Sequence, residues 1–84
     1  MNRTHRKTLA AVFSAPVPGT LEWRRIEALL VALGCEPIEG EGSCVAFRKG
    51  VERTDFHRPH PGREAKPYQV RAAREYLERI GVKP

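Results

Sequence analysis

The sequence predicts an α+β domain, in which a three-stranded antiparallel sheet carries helices on one face and an additional helix precedes it. Three observations lead to this fold class. Apolar residues recur at helical spacing near both ends of the chain, the middle alternates with a period of two, and glycine or proline separates the segments. A length of 84 residues suits one small core, since folding would bury roughly 63% of the extended chain's surface. We expect an N-terminal helix and linker over residues 1–19 and one domain over 20–84.

The helical spacing defines three helices. The first is short, over residues 5–13, and the Pro/Gly stretch at 15–19 follows it as a rigid linker. The second spans residues 21–33, and Thr20 is expected to cap its first turn through the side-chain oxygen. The third spans residues 68–80 and carries opposite charges at the spacing of helix-surface ion pairs.

Three strands are predicted between the second and third helices, over residues 36–39, 43–49 and 51–58. Alternation assigns six residues to the face that the helices leave open: Cys44, Ala46, Arg48, Arg53, Asp55 and His57. Without the first helix, the order αβββα is the topology of double-stranded-RNA-binding domains. This is a likeness of fold, and a fold by itself does not define a function.

A two-residue turn at Lys49-Gly50 sets the expected register of the second hairpin. It would pair Val45 with Thr54 and Cys44 with Asp55. His57 would then lie diagonally across from Cys44, at roughly 7–8 Å between backbones. A slip by one residue would turn His57 into the core, because successive strand residues face opposite sides.

Charge is distributed unevenly along the chain, whose net charge is +5. Residues 1–20 carry +3, residues 21–42 carry −3 and residues 43–84 carry +5. A basic half on a small domain favours an anionic partner, of which nucleic acid is the commonest. The composition is equally compatible with a surface that is basic only for solubility.

No segment predicts membrane insertion, secretion or metal binding. The apolar run Leu9–Phe13 is too short for a signal peptide or a membrane span, so we expect a cytoplasmic protein. Cys35 and Cys44 are too few for a disulfide framework and lack the spacing of a zinc site. We therefore expect two reduced thiols, no metal and no cofactor.

Four segments together resemble the HicA toxin family over about residues 20–82. They are Leu33-Gly34, Glu41-Gly42-Ser43, the loop Pro59-His60-Pro61-Gly62-Arg63-Glu64-Ala65-Lys66-Pro67, and Ile80-Gly81-Val82. The resemblance implies a ribosome-independent mRNA interferase with a fold like that of double-stranded-RNA-binding domains. It also implies the toxin of a type II toxin–antitoxin pair, blocked by a HicB antitoxin that covers its active face. The N-terminal helix resembles a subfamily addition.

The resemblance places the family's catalytic histidine directly after Gly42-Ser43, where this sequence has Cys44. An imidazole near neutral pKa suits the chemistry, since a proton moves as the ribose 2′-OH attacks the adjacent phosphate. A thiol, with a pKa of about 8.5, is a weaker proton shuttle at pH 7. Three interpretations remain open: the base has moved to His57, the chain binds RNA without cutting it, or the residue was replaced to make a toxin tolerable to express.

The candidate catalytic residues are accordingly Cys44, His57 and His60. Candidate RNA-binding residues surround the hairpin and the following loop: Ser43, Arg48, Lys49, Arg53, Arg58, Arg63 and Lys66. Lysine and arginine there would hold phosphates, with an affinity that falls as salt rises. The two functional hypotheses are an mRNA-cleaving toxin and a catalytically impaired module that binds RNA or the antitoxin. His57 or His60 could equally be a surface histidine without a role, and Asp55 could orient His57 or only balance Arg53.

Overall fold

Three helices and three strands make up the computed structural model, which describes all 84 residues. The elements are α1 (Arg3–Val12), α2 (Trp23–Ala32), β1 (Glu36–Glu39), β2 (Cys44–Lys49), β3 (Glu52–His57) and α3 (Pro67–Arg79). The strands form one antiparallel sheet in the order β1-β2-β3. The predicted α+β class and the αβββα order with an added N-terminal helix are confirmed. None of the helices combines the length and apolar character needed to cross a membrane.

The core lies between the helices and one face of the sheet. Val45, Phe47 and Phe56 are buried there, as the alternation along β2 and β3 predicts. The rings of Trp23 and Phe56 meet edge to face with centroids 4.9 Å apart. Burial of each large apolar side chain stabilises the fold by about 1.5–3 kcal/mol, so this core holds the opposite, solvent-facing side of the sheet in place.

α1 is part of the same core. Leu9 and Val12 are buried in it. At the C-terminal end of α1, the guanidinium of Arg74 in α3 donates hydrogen bonds to the carbonyls of Val12, at 2.9 Å, and Ser14, at 3.2 Å. These bonds satisfy backbone groups that a helix end leaves without partners. The added helix is thereby attached to the domain by apolar packing and by hydrogen bonds.

α2 begins at Trp23, two residues later than predicted, so Thr20 is not its N-cap. The backbone of residues 21–23 instead forms an antiparallel bridge with residues 63–65. The amide of Ala65 donates to a carbonyl of the opposite segment at 2.7 Å. Pairing keeps both segments extended, because it satisfies their backbone groups outside a helix. Helical periodicity does not reveal a partner so distant along the chain.

β2 and β3 pair in a register two residues away from the predicted one. The turn residues are Gly50-Val51, and Gly50 has the positive φ of +62° that hairpin turns favour. The observed pairs include Cys44–His57 and Val45–Phe56, instead of Cys44–Asp55 and Val45–Thr54. Since the difference is even, each residue keeps its predicted face. The observed register places His57 directly opposite Cys44 and not diagonally.

Candidate active site

A thiol and an imidazole lie side by side on the open face of the sheet. Cys44 and His57 face each other across β2 and β3, and Cys44 Sγ is 3.5 Å from His57 Nδ1. Cys44 is half-buried and His57 is exposed. The contact occupies Nδ1, whereas Nε2 of His57 makes no hydrogen bond within the protein. A substrate on this face can therefore reach the free nitrogen of an imidazole whose other nitrogen is held.

The turn between β1 and β2 encloses the backbone of Cys44. The amide of Cys44 donates to the carbonyl of Glu41, and its carbonyl accepts from the amide of Gly40, each at 3.0 Å. A Cβ on Gly40 would come within 3.1 Å of the Cys44 Cβ, and Gly42 has a φ of +58° that favours glycine. Two glycines therefore fix this turn, one by close approach and one by its backbone conformation.

Gln69 supports the site from the buried side of the sheet. The sequence analysis did not identify this residue. Its side chain is buried, although glutamine is a polar residue. Its Nε2 donates to the backbone carbonyl of His57 at 2.6 Å, and its Oε1 accepts from the amide of Lys66 at 2.8 Å. One side chain thus joins the end of β3 to the start of α3. Its position three residues after the N-cap, where a capping-box side chain is expected, is the pattern that could have identified it.

Arg58 is held between two carboxylates. Its guanidinium donates to Glu39 at 2.8 Å through two nitrogens, and to Glu27 at 2.8 and 3.2 Å. Glu27 also accepts a hydrogen bond from the indole of Trp23. The hydrogen bonds from Arg58 to the two carboxylates raise the pKa of Arg58 further. Hydrogen bonding by Arg58 also lowers the pKa of Glu39 below its ordinary 4.5. The charge of Arg58 is therefore compensated within the protein.

The remaining candidate cations fall into two groups. Arg48 pairs with Glu36 at 2.7 Å, and Arg53 pairs with Asp55 at 3.3 Å, so that Asp55 balances Arg53. The Lys49 ammonium donates to the Leu33 carbonyl at 2.6 Å, where α2 ends. Two other cations, Arg63 and Lys66, are exposed and form no ion pair. These two have the most charge available for an external anion.

The loop that begins directly after His57 carries the other candidates. His60 is exposed, and the carbonyl of Ser43 accepts from the amide of Arg58 at 2.8 Å. A pocket of about 200 Å³ lies beside the loop, and Arg58 and Arg63 line it together with Trp23. The structure thus brings Cys44 and His57 together, with Ser43 and the Arg58–Arg63 loop adjoining them.

Comparison with protein families matches residues 23–82 to the family described as the HicA toxin of bacterial toxin–antitoxin systems. The chain belongs to the HicA toxin family. As a HicA toxin, it is the toxin component of a toxin–antitoxin system, and a cognate antitoxin is its implied partner. Neither a curated protein nor a solved structure matches the chain.

The matched region of this HicA toxin contains the whole candidate site. It runs from the first residue of α2 through the Cys44–His57 pair, the loop and α3. α1 and the linker precede it. Within the matched region, Cys35 lies apart from the site, buried in the core, where burial raises the pKa of its thiol.

Proposed function

We propose that this HicA toxin is an endoribonuclease that cleaves mRNA in the cytoplasm and is neutralised by a HicB-type antitoxin. One observation carries the catalytic part of the proposal. The imidazole of His57 lies 3.5 Å from Sγ of Cys44, the residue that stands where the family resemblance expects a catalytic histidine. The pairing of β2 with β3 puts an imidazole of β3 beside the β2 side chain that would otherwise be the catalytic group. The chemistry needs a titratable nitrogen there, and the neighbouring strand provides one.

His57 is proposed as the general base. Its Nε2 takes the proton from a ribose 2′-OH as that oxygen attacks the adjacent phosphorus. The bond from phosphorus to the 5′-oxygen breaks, and the leaving oxygen takes up a proton from water, giving a 2′,3′-cyclic phosphate and a 5′-hydroxyl end. When the Nδ1–H faces Cys44 Sγ, Nε2 is the nitrogen that can accept a proton. Cys44 then acts as a positioning residue that holds the tautomer.

The loop is proposed to bind the phosphates next to the scissile bond. Arg63 and Lys66 are exposed cations of this loop that form no ion pair, and Lys66 directly precedes α3, whose N-terminus attracts anions. Charge that develops on the phosphate would be stabilised by such groups. In this proposal Arg58 has a structural part, because two carboxylates already compensate its charge.

A second candidate function is an RNA-binding or antitoxin-binding module that does not cleave. Its supporting observation is the thiol of Cys44 at the position expected to carry the family's histidine. In this alternative the fold and the surface are those of the toxin, and the catalytic group is lost, whether naturally or by engineering. It predicts salt-sensitive RNA binding with RNA that stays intact.

Incubation of the free protein with a defined mRNA in EDTA separates these two functions. We expect cleavage by the unaltered chain and a loss of about 10²–10⁴-fold in His57→Ala, the usual contribution of general acid–base catalysis. Arg71→Gln, which alters an exposed residue on α3, is the control. Intact RNA throughout, with cleavage only in Cys44→His, would favour the binding module.

A further inference from the structure

A continuous groove lies between α1 and the first turn of α2, outside the candidate active site. Its larger part has a volume of about 400 Å³, and Lys7 and Arg25 are among its lining residues. Its smaller part has a volume of about 350 Å³ and is lined by His5 and Arg24, among others. Thr4 and Arg25 line both parts, so the two form one groove. The groove exists only because α1 packs against α2.

The groove is cationic. α1 contains no acidic residue, and the acidic side chain that lines the groove, Glu22, is paired with Arg24 at 2.9 Å. Lys7 and Arg25 are exposed and form no ion pair. Arg24 and Arg25 stand in the first turn of α2, where the helix dipole disfavours positive charge. Their positive charges are therefore unfavourable for the helix. They add to the positive potential that the helix dipole creates at its N-terminus.

An unpartnered polar atom lies at the same place. Nδ1 of His5, which belongs to the smaller part of the groove, is the one buried side-chain nitrogen or oxygen in the protein without a hydrogen-bond partner. Buried polar atoms are nearly always paired, because leaving them without a partner is costly. Because this nitrogen is itself buried, it belongs to the wall of the groove, and the exposed polar contacts of the groove come from its cations.

The groove adjoins the loop of the candidate active site. Arg24 lines both the smaller part of the groove and the pocket that contains Arg58 and Arg63. The carboxyl of Glu22 lies close enough to these cations for their charges to affect its pKa. Its pKa is lowered first by the hydrogen bond and charge of Arg24, and then by the charges of Arg25 and Arg63. Cations thus follow one another from α1 to the loop after β3.

We propose that the groove between α1 and α2 binds the phosphate backbone of the RNA substrate beyond the cleavage point. The inference rests on the proposed function, since it makes the groove a continuation of the same RNA path. A long RNA must leave the catalytic face on both sides, and three cations without ion pairs, Arg63, Arg25 and Lys7, mark one exit. An acidic protein segment would also be attracted to cations, but the position of the groove beside the catalytic loop favours RNA. α1 is therefore assigned a role in substrate binding.

The test measures binding without cleavage. A fluorescent 2′-O-methyl RNA lacks the attacking hydroxyl, so its anisotropy reports affinity for the full chain over a range of salt. In Lys7→Gln/Arg25→Gln, we expect the slope of log affinity against log salt to fall by about 1.4, the value for two lost contacts with single-stranded RNA. Arg71→Gln/Lys83→Gln removes two exposed charges elsewhere and is the matched control. Lys7→Arg/Arg25→Lys keeps the charges and should keep the slope.

Equal slopes in the groove variant and the matched control would overturn the inference. It is also wrong if the groove variant keeps the RNA slope and loses only its binding of a polyglutamate peptide. Cross-linking to thiouridine-containing RNA tests the inference on the unaltered protein, without any substitution. We expect cross-links within residues 3–11. Their absence contradicts the inference. Failure of the protein to cleave unmodified mRNA would instead overturn the proposed function, while the binding slopes still decide the groove.

Discussion

The two thiols of the protein differ in the properties that govern reactivity. Cys35 is buried, with 3% of its surface exposed, and burial raises the pKa of its thiol. Cys44 is half-buried on the open face, next to the imidazole of His57. A thiol reagent must reach the sulfur atom, so access favours Cys44 over the buried Cys35.

When the native protein is labelled with a thiol reagent, one thiol per chain should therefore react quickly and the other slowly. Cys44→Ser should remove the fast phase, and Cys35→Ala should leave it. Denatured protein provides the total of two equivalents. A fast phase that persists in Cys44→Ser would contradict the burial of Cys35.

Gln69 is hydrogen-bonded to the backbone of His57 from within the core, which predicts a role in positioning that residue. Replacement by leucine removes both of its hydrogen bonds and leaves the His57 carbonyl and the Lys66 amide without that partner. We expect a loss of about 1–3 kcal/mol in the free energy of unfolding, measured by urea denaturation. Cleavage should also fall at temperatures where the variant remains folded.

A second measurement separates positioning of His57 from loss of stability. The imidazole resonances of His57, followed by NMR, should change in Gln69→Leu, while those of His5 on α1 should not. Gln69→Glu keeps the oxygen that accepts from the Lys66 amide and loses the donor to His57, so its effect on His57 should persist. Unchanged His57 resonances in both variants would show that Gln69 has no positioning role.

Sequence reasoning at the scale of single residues succeeded for faces and failed for partners. Alternation put Cys44 and His57 on the open face, because strand periodicity depends only on local geometry. It could not establish that Arg58 is compensated by Glu27 and Glu39, since α2, β1 and the end of β3 meet only after folding. The roles of Cys44, His57 and His60 in catalysis stay predictions.

At the scale of elements, the Arg58 ion pairs join α2, β1 and the segment after β3. Because the hydrogen bond from Arg58 lowers the pKa of Glu39, the folded state binds that proton more weakly than the unfolded state. The stabilisation is present above the ordinary pKa of 4.5 and is lost as pH falls through the lower, folded value.

Glu39→Gln should accordingly lower Tm at neutral pH and reduce the further fall of Tm below pH 4.5. Differential scanning calorimetry over an acid pH series measures both effects. Glu41→Gln removes an exposed carboxylate without an ion pair and controls for charge. Equal effects of the two substitutions would contradict a stabilising role for the Arg58–Glu39 pair.

Element bounds were predictable where apolar periodicity is strong. The start of α2 and the hairpin register were not, for two physical reasons. Residues 21–23 pair with residues 63–65, and a pairing so distant along the chain leaves no local pattern. In the hairpin, Gly50 can occupy either turn position, and the register follows from which one it takes.

At the scale of the whole molecule, helices cover one face of the sheet and leave the other available. We propose that the HicB-type antitoxin covers this open face together with the loop that follows β3. Arg48, Arg53 and His57 are exposed there, so an acidic or mixed antitoxin surface would complement it.

Hydrogen exchange of the toxin alone and in complex tests this partner surface. We expect slower exchange within residues 44–60 on binding, and little change in the buried middle of α3. An absence of protection over residues 44–60 would place the antitoxin elsewhere. Protection confined to α1 would assign it to the groove between α1 and α2 instead.

The bridge between residues 21–23 and 63–65 has a consequence for the order of events during synthesis. One segment lies at the start of the matched region, and the other immediately precedes the last helix. The loop is also hydrogen-bonded to Gln69 of that helix, so a growing chain that lacks α3 has no completed candidate site. Chain segments emerge from the ribosome in order. Toxicity should therefore begin only after α3 has been synthesised and has packed against the sheet.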